Sequence, residues 1–245
     1  MSGFRMGIIG HFARSGNRND GQTVKTNILY SELRRYFPDD NILIADTYKW
    51  KITGLRLLVD TISIMAKCRY VIILLSDNGM RVFFPLLYFL NFFFQKQIHH
   101  VVIGGRLHEA IQGNSSWKRY LKAFTANYVE TSSMQKKINA LGIDNVFVMP
   151  NFKRLSVVAE TELKTNFPKP FALCTFSRIT REKGIEDAVT AVNKVNALIG
   201  ETVYTLDLYG PIDENFKEDF QALLDTDPAS IRYGGNIPYD NSVSV

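Results

Sequence analysis

Arg178 and Lys183, two cations beside a glycine in Phe176-Ser177-Arg178-Ile179-Thr180-Arg181-Glu182-Lys183-Gly184, are the residues of this chain best placed to do chemistry. A guanidinium can clamp phosphate oxygens through its fork, an ammonium supplies a compact point charge, and the free N–H groups at a helix start add positive potential. The run Phe171 to Phe176 before them reads as a buried strand, and Ile185, Ala188, Val189 and Val192 recur at helical spacing after them. The cations therefore fall in or beside a strand-to-helix turn, a place to hold a diphosphate. An ordinary solvated loop would use the same residue types.

Other candidates lie in the first half. In an open parallel sheet, ligands sit beyond the carboxyl ends of the strands, which points to the polar loop after Ile8-Ile9-Gly10. Gly16-Asn17-Arg18-Asn19-Asp20-Gly21-Gln22-Thr23 has the glycine spacing of a P-loop, but Gln22 stands where such a loop needs its lysine, and the loop starts well past its strand. A flexible loop with a helix start at Gln22 is the plainer reading. Gly7-Ile8-Ile9-Gly10 does not complete a dinucleotide-binding fingerprint. Gly104-Gly105 closes another strand, followed by Arg106, Leu107 and His108, while Glu130 and Asn151 close two more. Glu130 can meet an acceptor or simply cap the turn into a helix at Ser132 or Ser133. Asp225-Thr226-Asp227, followed by Pro228, reads as a turn rather than a metal site. No nucleophile triad or metal-ligand cluster stands out.

Taken in chain order, the segments Asp20 to Thr26, Val102 to Leu107, Tyr128 to Met134, Val148 to Lys153, the Arg178 run, Leu206 to Gly210 and Ile231 to Ile237 resemble retaining, nucleotide-sugar-dependent glycosyltransferases of family 4. The likeness is to members that build bacterial capsular or other surface polysaccharides, and these have the two-domain GT-B fold. It implies transfer of a sugar from a UDP- or GDP-linked donor to a saccharide or lipid-linked saccharide, with retention and with neither cofactor nor metal. It implies that Arg178 and Lys183 hold the donor diphosphate, with Gly21 letting backbone approach it. Many members have a catalytic-site histidine near the Gly104-Gly105 strand end. Here His108 falls a few residues late, and His11 is the alternative. Asn17, Gln22, Gly105, Glu130, Asn151 and Gly210 become further candidates for the interdomain cleft.

These residues need elements to hold them. Apolar β-rich runs at Met6 to Gly10, Ile42 to Ala45, Tyr70 to Leu75, His100 to Ile103, Tyr128 to Glu130 and Val146 to Met149 alternate with helical patterns. Because parallel strands need crossovers and helices supply them, residues 1–150 are expected to form a Rossmann-like, acceptor-side domain. Residues 151–170, bracketed by prolines, form a linker. Strand and helix restart from Phe171, so 171–245 are expected to be part of a second, donor-side Rossmann-like domain, about half the usual length. The family's Glu, seven residues, Glu motif is not found. The chain thus reads as truncated, with weak or absent activity and apolar surface exposed near Ile231 and Ile237. A shortened homologue that binds a glycan, a membrane surface or a partner is the rival expectation.

A net charge of +5 over 245 residues favours anionic partners, and no Lys/Arg block, zinc spacing or aromatic RNA signature points to nucleic acid. Cys68 and Cys174, in apolar surroundings, are expected to be reduced core thiols. The amino terminus has no signal-peptide pattern, which suggests the cytosol. The apolar stretch Val82 to Phe94 is too short to cross a bilayer. It is either a helix buried against the sheet or one with a face resting on a membrane surface.

Overall fold

The chain, seen in a computed structural model, is described over residues 5–14, 20–38, 41–152, 157, 159–162 and 166–237. It divides into two units, Met1–Lys153 and Arg154–Val245. In the first, parallel strands β1 (Met6–Gly10), β2 (Ile42–Asp46), β3 (Tyr70–Leu74), β4 (Gln97–Val101), β5 (Ala126–Val129) and β6 (Val146–Val148) alternate with helices. These are α1 (Gly21–Leu33), α2 (Trp50–Lys67), α3 (Asp77–Phe94), α4 (Leu107–Gln112), α5 (Ser115–Ala123) and α6 (Ser132–Ala140). The strand order is β2-β1-β3-β4-β5-β6, so the direction of winding reverses between β1 and β3. Met6 pairs with Ile42 on one side and Tyr70 on the other.

Alternate residues of β1 feed opposite faces, as the pleat requires. Ile9 joins Ile64 and Met65 of α2 and Phe84 and Leu87 of α3, while Ile8 joins Phe12, Leu74 and the α1 residues Leu29, Tyr30 and Leu33. A histidine sits deep in the first of these cores. His100 is fully buried, with Nδ1 3.2 Å from Asn127 Oδ1, and its ring meets Phe84 edge-on at 5.1 Å. Nε2 has no partner among the described residues. Burial, reinforced by the charge of Lys25 and opposed by the Asn127 bond, pushes its pKa down to about 4. His100 is therefore a neutral core residue, donating from Nδ1 because Asn127 uses its amide nitrogen on the Leu121 carbonyl.

The second unit holds three parallel strands in the order β7-β8-β9, with β7 (Phe171–Phe176), β8 (Tyr204–Tyr209) and β9 (Ile231–Gly235), and helices α7 (Ile185–Ile199) and α8 (Lys217–Leu224). Its core gathers Ile185, Val189, Val192, Leu208, Phe220 and Ile231. The chain is an α/β protein whose described residues form one six-stranded and one three-stranded parallel sheet.

Four expectations change here. The β7 strand is not buried: Leu173, Cys174 and Phe176 are exposed, because among the described residues β7 is an edge strand and the helices pack over β8 and β9. Cys174 is accordingly a free, exposed thiol, whereas Cys68 is buried and its pKa is raised by that burial. Ile231 is buried, because its side chain enters the core beneath α8. The apolar Val82 to Phe94 stretch lies in α3, which starts earlier, at Asp77, and divides its residues: Phe83, Phe84 and Leu87 are buried, and Val82, Phe89, Phe92 and Phe93 are exposed. Among the described residues no helix is long and apolar enough to cross a membrane.

Candidate functional site

A cleft of about 420 Å³ opens at the carboxyl ends of β1, β2 and β3, where the winding reverses. Open α/β sheets bind their ligands at such a switch point. His11 follows β1, Asp20 and Gln22 begin α1, Lys49 and Trp50 follow β2, and Asn78 opens α3. Asp20 caps α1 by accepting from the Thr23 N–H at 2.9 Å, and its Oδ1 also accepts from the Thr23 hydroxyl at 2.9 Å. His11 Nδ1 lies 2.8 Å from that same hydroxyl oxygen. Since the single hydroxyl proton goes to Asp20, Nδ1 is the donor to Thr23 Oγ1, which leaves Nε2 as a lone pair in the neutral ring. An Asp20, Thr23, His11 chain thus orients a base on the cleft wall. Lys49, before α2, holds a left-handed backbone at φ 54°, the kind of local strain that concentrates at functional sites.

Gln22 turns its amide to the Leu74 carbonyl at 3.3 Å and so joins α1 to the end of β3. Gly21 is the first residue of α1, and a Cβ there would meet nothing of the protein, so its own packing does not require glycine. Gly105 is equally open. Asn17 lies outside the described residues, and Asn151 is exposed after β6.

Glu130 neither caps α6 nor lies free. Thr131 is the cap, accepting from the Met134 N–H at 3.2 Å, and Glu130 accepts from Lys25 Nζ at 2.7 Å. Lys25, 9% exposed on α1, also donates to the Val102 carbonyl at 2.9 Å. One buried ammonium thereby ties α1 to the ends of β4 and β5. Sequence reasoning overlooked Lys25; its only signal was a lone cation on the inward side of a helix. His108 sits in the first turn of α4, a helix the sequence pattern did not reveal. It lies 3.9 Å from Glu109, with Nδ1 buried and unpartnered among the described residues, and it does not line the cleft.

In the second unit, Arg178 and Lys183 flank the turn between β7 and α7. The turn is fastened to the loop after β8: Ile179 N–H donates to Pro211 O at 2.9 Å, and Asp213 N–H donates to Ile179 O at 3.1 Å. Gly210 permits this fastening. Its φ is 137°, and a Cβ would fall 1.8 Å from the Ser177 carbonyl oxygen, inside any contact distance, so its glycine serves the backbone crossing. Arg178 is 64% exposed and donates to Asp213 Oδ2 at 2.8 Å, keeping further donors of its fork for a ligand. Lys183 is exposed and carries no ion pair among the described residues, whereas Arg181 is held by Glu186 and Asp219.

The positive field is smaller than the sequence suggested. Glu186 and Asp187 occupy the first turn of α7 and already face its helix dipole. The Glu182 carboxyl is held below its ordinary range by its own backbone N–H and by the Thr180 hydroxyl, so it stays ionised beside Lys183. Among the described residues of this turn, what remains available is the Arg178 fork and the Lys183 ammonium. Among the described residues no three His, Cys, Asp or Glu side chains gather to hold a metal.

No protein-family profile matches the chain, and no curated protein matches its sequence. Solved structures do match its fold. Over 96% of this chain and 70% of the other it superposes on HepE of Anabaena, solved with UDP and glucose, at a TM-score of 0.62 and 10% identity. The lipopolysaccharide outer core galactosyltransferase WaaB matches 98% of this chain and 70% of its own, at 0.56 and 12%. TarM of S. aureus, solved with UDP among its ligands, matches 74% of this chain and 37% of its own, at 0.52 and 16%. The fold is of the GT-B type. At these identities the likeness establishes architecture, and the chain spans 70% of the HepE and WaaB chains and under two fifths of TarM.

Proposed function

We propose that this chain is a retaining, family 4 glycosyltransferase that moves a sugar from a UDP- or GDP-linked donor to a saccharide or lipid-linked saccharide in the synthesis of a bacterial surface polysaccharide. The observation that carries the reading is the fastened turn after β7, where the exposed Arg178 fork and the Lys183 ammonium, which has no ion pair among the described residues, flank one strand-to-helix turn on a GT-B scaffold. Residues 1–150 serve as the acceptor-side domain and 171–245 as the donor-side domain. The switch-point cleft, with His11, Asp20 and Gln22, receives the acceptor. Gly21 is assigned to backbone approach of the donor diphosphate and His108 to the catalytic centre, while Gly105, Glu130 and Asn151 contribute the shape and polarity of the strand ends. Asn17 is assigned with the loop before α1, and Gly210 holds the turn that carries Arg178. The site of action is the cytosolic face of the membrane.

The chemistry this reading requires is electrostatic. Departure of a sugar from a nucleotide leaves negative charge on the diphosphate, and Arg178 and Lys183 stabilise it without a metal or cofactor. Loss of one such preorganised donor costs about 2 to 4 kcal/mol of barrier. Asp213 competes with the diphosphate for Arg178, so donor binding exchanges one anionic partner for another. Calorimetric titration with UDP, GDP and their sugars tests the assignment. Saturable binding that disappears in Arg178→Ala/Lys183→Ala is expected, and a folded double variant that binds as the parent does would refute it.

A further inference from the structure

A helix packed on a sheet normally turns a polar face outward. Helix α2 does not. Ile52, Leu55, Val59 and Ile62, at helical spacing, form a stripe that faces away from its buried residues Leu57, Thr61, Ile64 and Met65, and Ile52 and Leu55 are 83% and 80% exposed. Helix α3, which packs against α2, repeats the pattern with Val82, Phe89, Phe92 and Phe93, and Phe92 is 79% exposed. Each stripe runs about 15 Å along its helix at 1.5 Å per residue. Side by side they make an apolar face larger than a lone solvent-exposed side chain can account for.

The charge around this face identifies what covers it. From Lys49 to Lys96 the chain carries seven Lys and Arg against two acids, Asp60 and Asp77, an excess equal to the net charge of +5 of the whole sequence. Lys51, Arg56 and Arg81 are exposed on the two helices, and Lys96 follows the end of α3. An apolar centre with a cationic rim matches the acyl boundary and headgroups of an anionic lipid surface. A second copy fits less well, because two such faces would bring like charges together around the contact. Trp50 and Val82, which begin the apolar face, also line the switch-point cleft.

We propose that the α2–α3 face rests on an anionic lipid surface, with Ile52, Leu55, Phe89, Phe92 and Phe93 entering the acyl boundary and the lysines and arginines meeting the headgroups. This placement stands on the face itself. It also sets the cleft at headgroup level, where an acceptor carried on a lipid would present its sugar, and that last step alone rests on the proposed transfer reaction.

Co-sedimentation of the full chain with phosphatidylcholine vesicles, with and without phosphatidylglycerol, tests the proposal. Binding about tenfold or more stronger to the anionic vesicles, and weakened by salt, is expected. Phe89→Ser/Phe92→Ser/Phe93→Ser and, independently, Ile52→Ser/Leu55→Ser/Val59→Ser should each lower it about tenfold or more while circular dichroism and nucleotide titration stay parental. The proposal is overturned if the folded chain leaves anionic vesicles unbound, or if neither variant changes binding. A concentration-dependent dimer that both variants abolish, without vesicle binding, would give the face to a second copy and equally overturn it. A chain that binds vesicles but no nucleotide would keep the lipid surface and lose the transfer reading.

Discussion

Acid should loosen the first unit through one residue, His100. Its pKa is lowered from the ordinary 6.5 to about 4 in the folded chain, so between those values the unfolded chain binds the proton and the folded chain does not. Stability is therefore complete above pH 6.5, falls as pH drops towards 4, and levels off below it. The full difference is worth about 3 kcal/mol, most of which is lost on going from pH 7.5 to 4.5. Other groups titrate in the same interval, so the variant His100→Leu supplies the reference. It keeps an apolar body against Phe84 and removes the titrating group. Urea unfolding followed by tryptophan fluorescence reports on this unit alone, because both tryptophans, Trp50 and Trp117, belong to it, and Trp117 packs 5.6 Å from Phe84. The stability of the variant relative to the parent should rise by about 2 to 3 kcal/mol over that pH range. A difference that stays flat with pH would refute the account of His100 as a buried neutral ring.

Two further substitutions probe the site's framework. Gly210→Ala should cost the second unit about 3 kcal/mol, because the added Cβ collides with the Ser177 carbonyl, and a thermal scan showing no destabilisation would contradict the reading of that glycine. Lys25→Met should cost the first unit about 3 kcal/mol by leaving Glu130 and the Val102 carbonyl without their cation. Adding Glu130→Gln to Lys25→Met should recover part of that loss in the same denaturation assay, and no recovery would mean the pair is not coupled.

The periodicity of the sequence places nearly every strand and long helix, since apolar residues every second position and every third or fourth are direct records of which face is covered. What an apolar run does not record is whether a partner exists to cover it. Leu173 and Phe176 are as apolar as core residues, yet among the described residues β7 has a neighbouring strand on one side alone, and the α3 phenylalanines divide between core and surface within a single run. Short elements leave too little pattern, so α4 and with it the placement of His108 escape notice. The cations at the β7 turn are visible from composition and spacing, but the carboxylates that meet them are not. Asp213 lies 35 residues from Arg178 and reaches it only because the loops after β7 and β8 are bound together. Lys25 is hidden for the same reason, its partner Glu130 being 105 residues away.

The order β2-β1-β3-β4-β5-β6 also governs how the first sheet can be assembled on the ribosome. The strand made first, β1, is interior, with β2 on one flank and β3 on the other. Each later strand joins an edge that already exists: β4 beside β3, β5 beside β4, β6 beside β5. No strand has to be inserted between two that are already paired, so the sheet can grow outward in the order of synthesis. It closes with Val148, before the first strand of the second unit has been made. The second sheet then repeats the scheme, adding β8 to β7 and β9 to β8. A chain wound in this way suits domain-by-domain folding from the amino terminus, in which each unit buries its apolar residues before the next emerges.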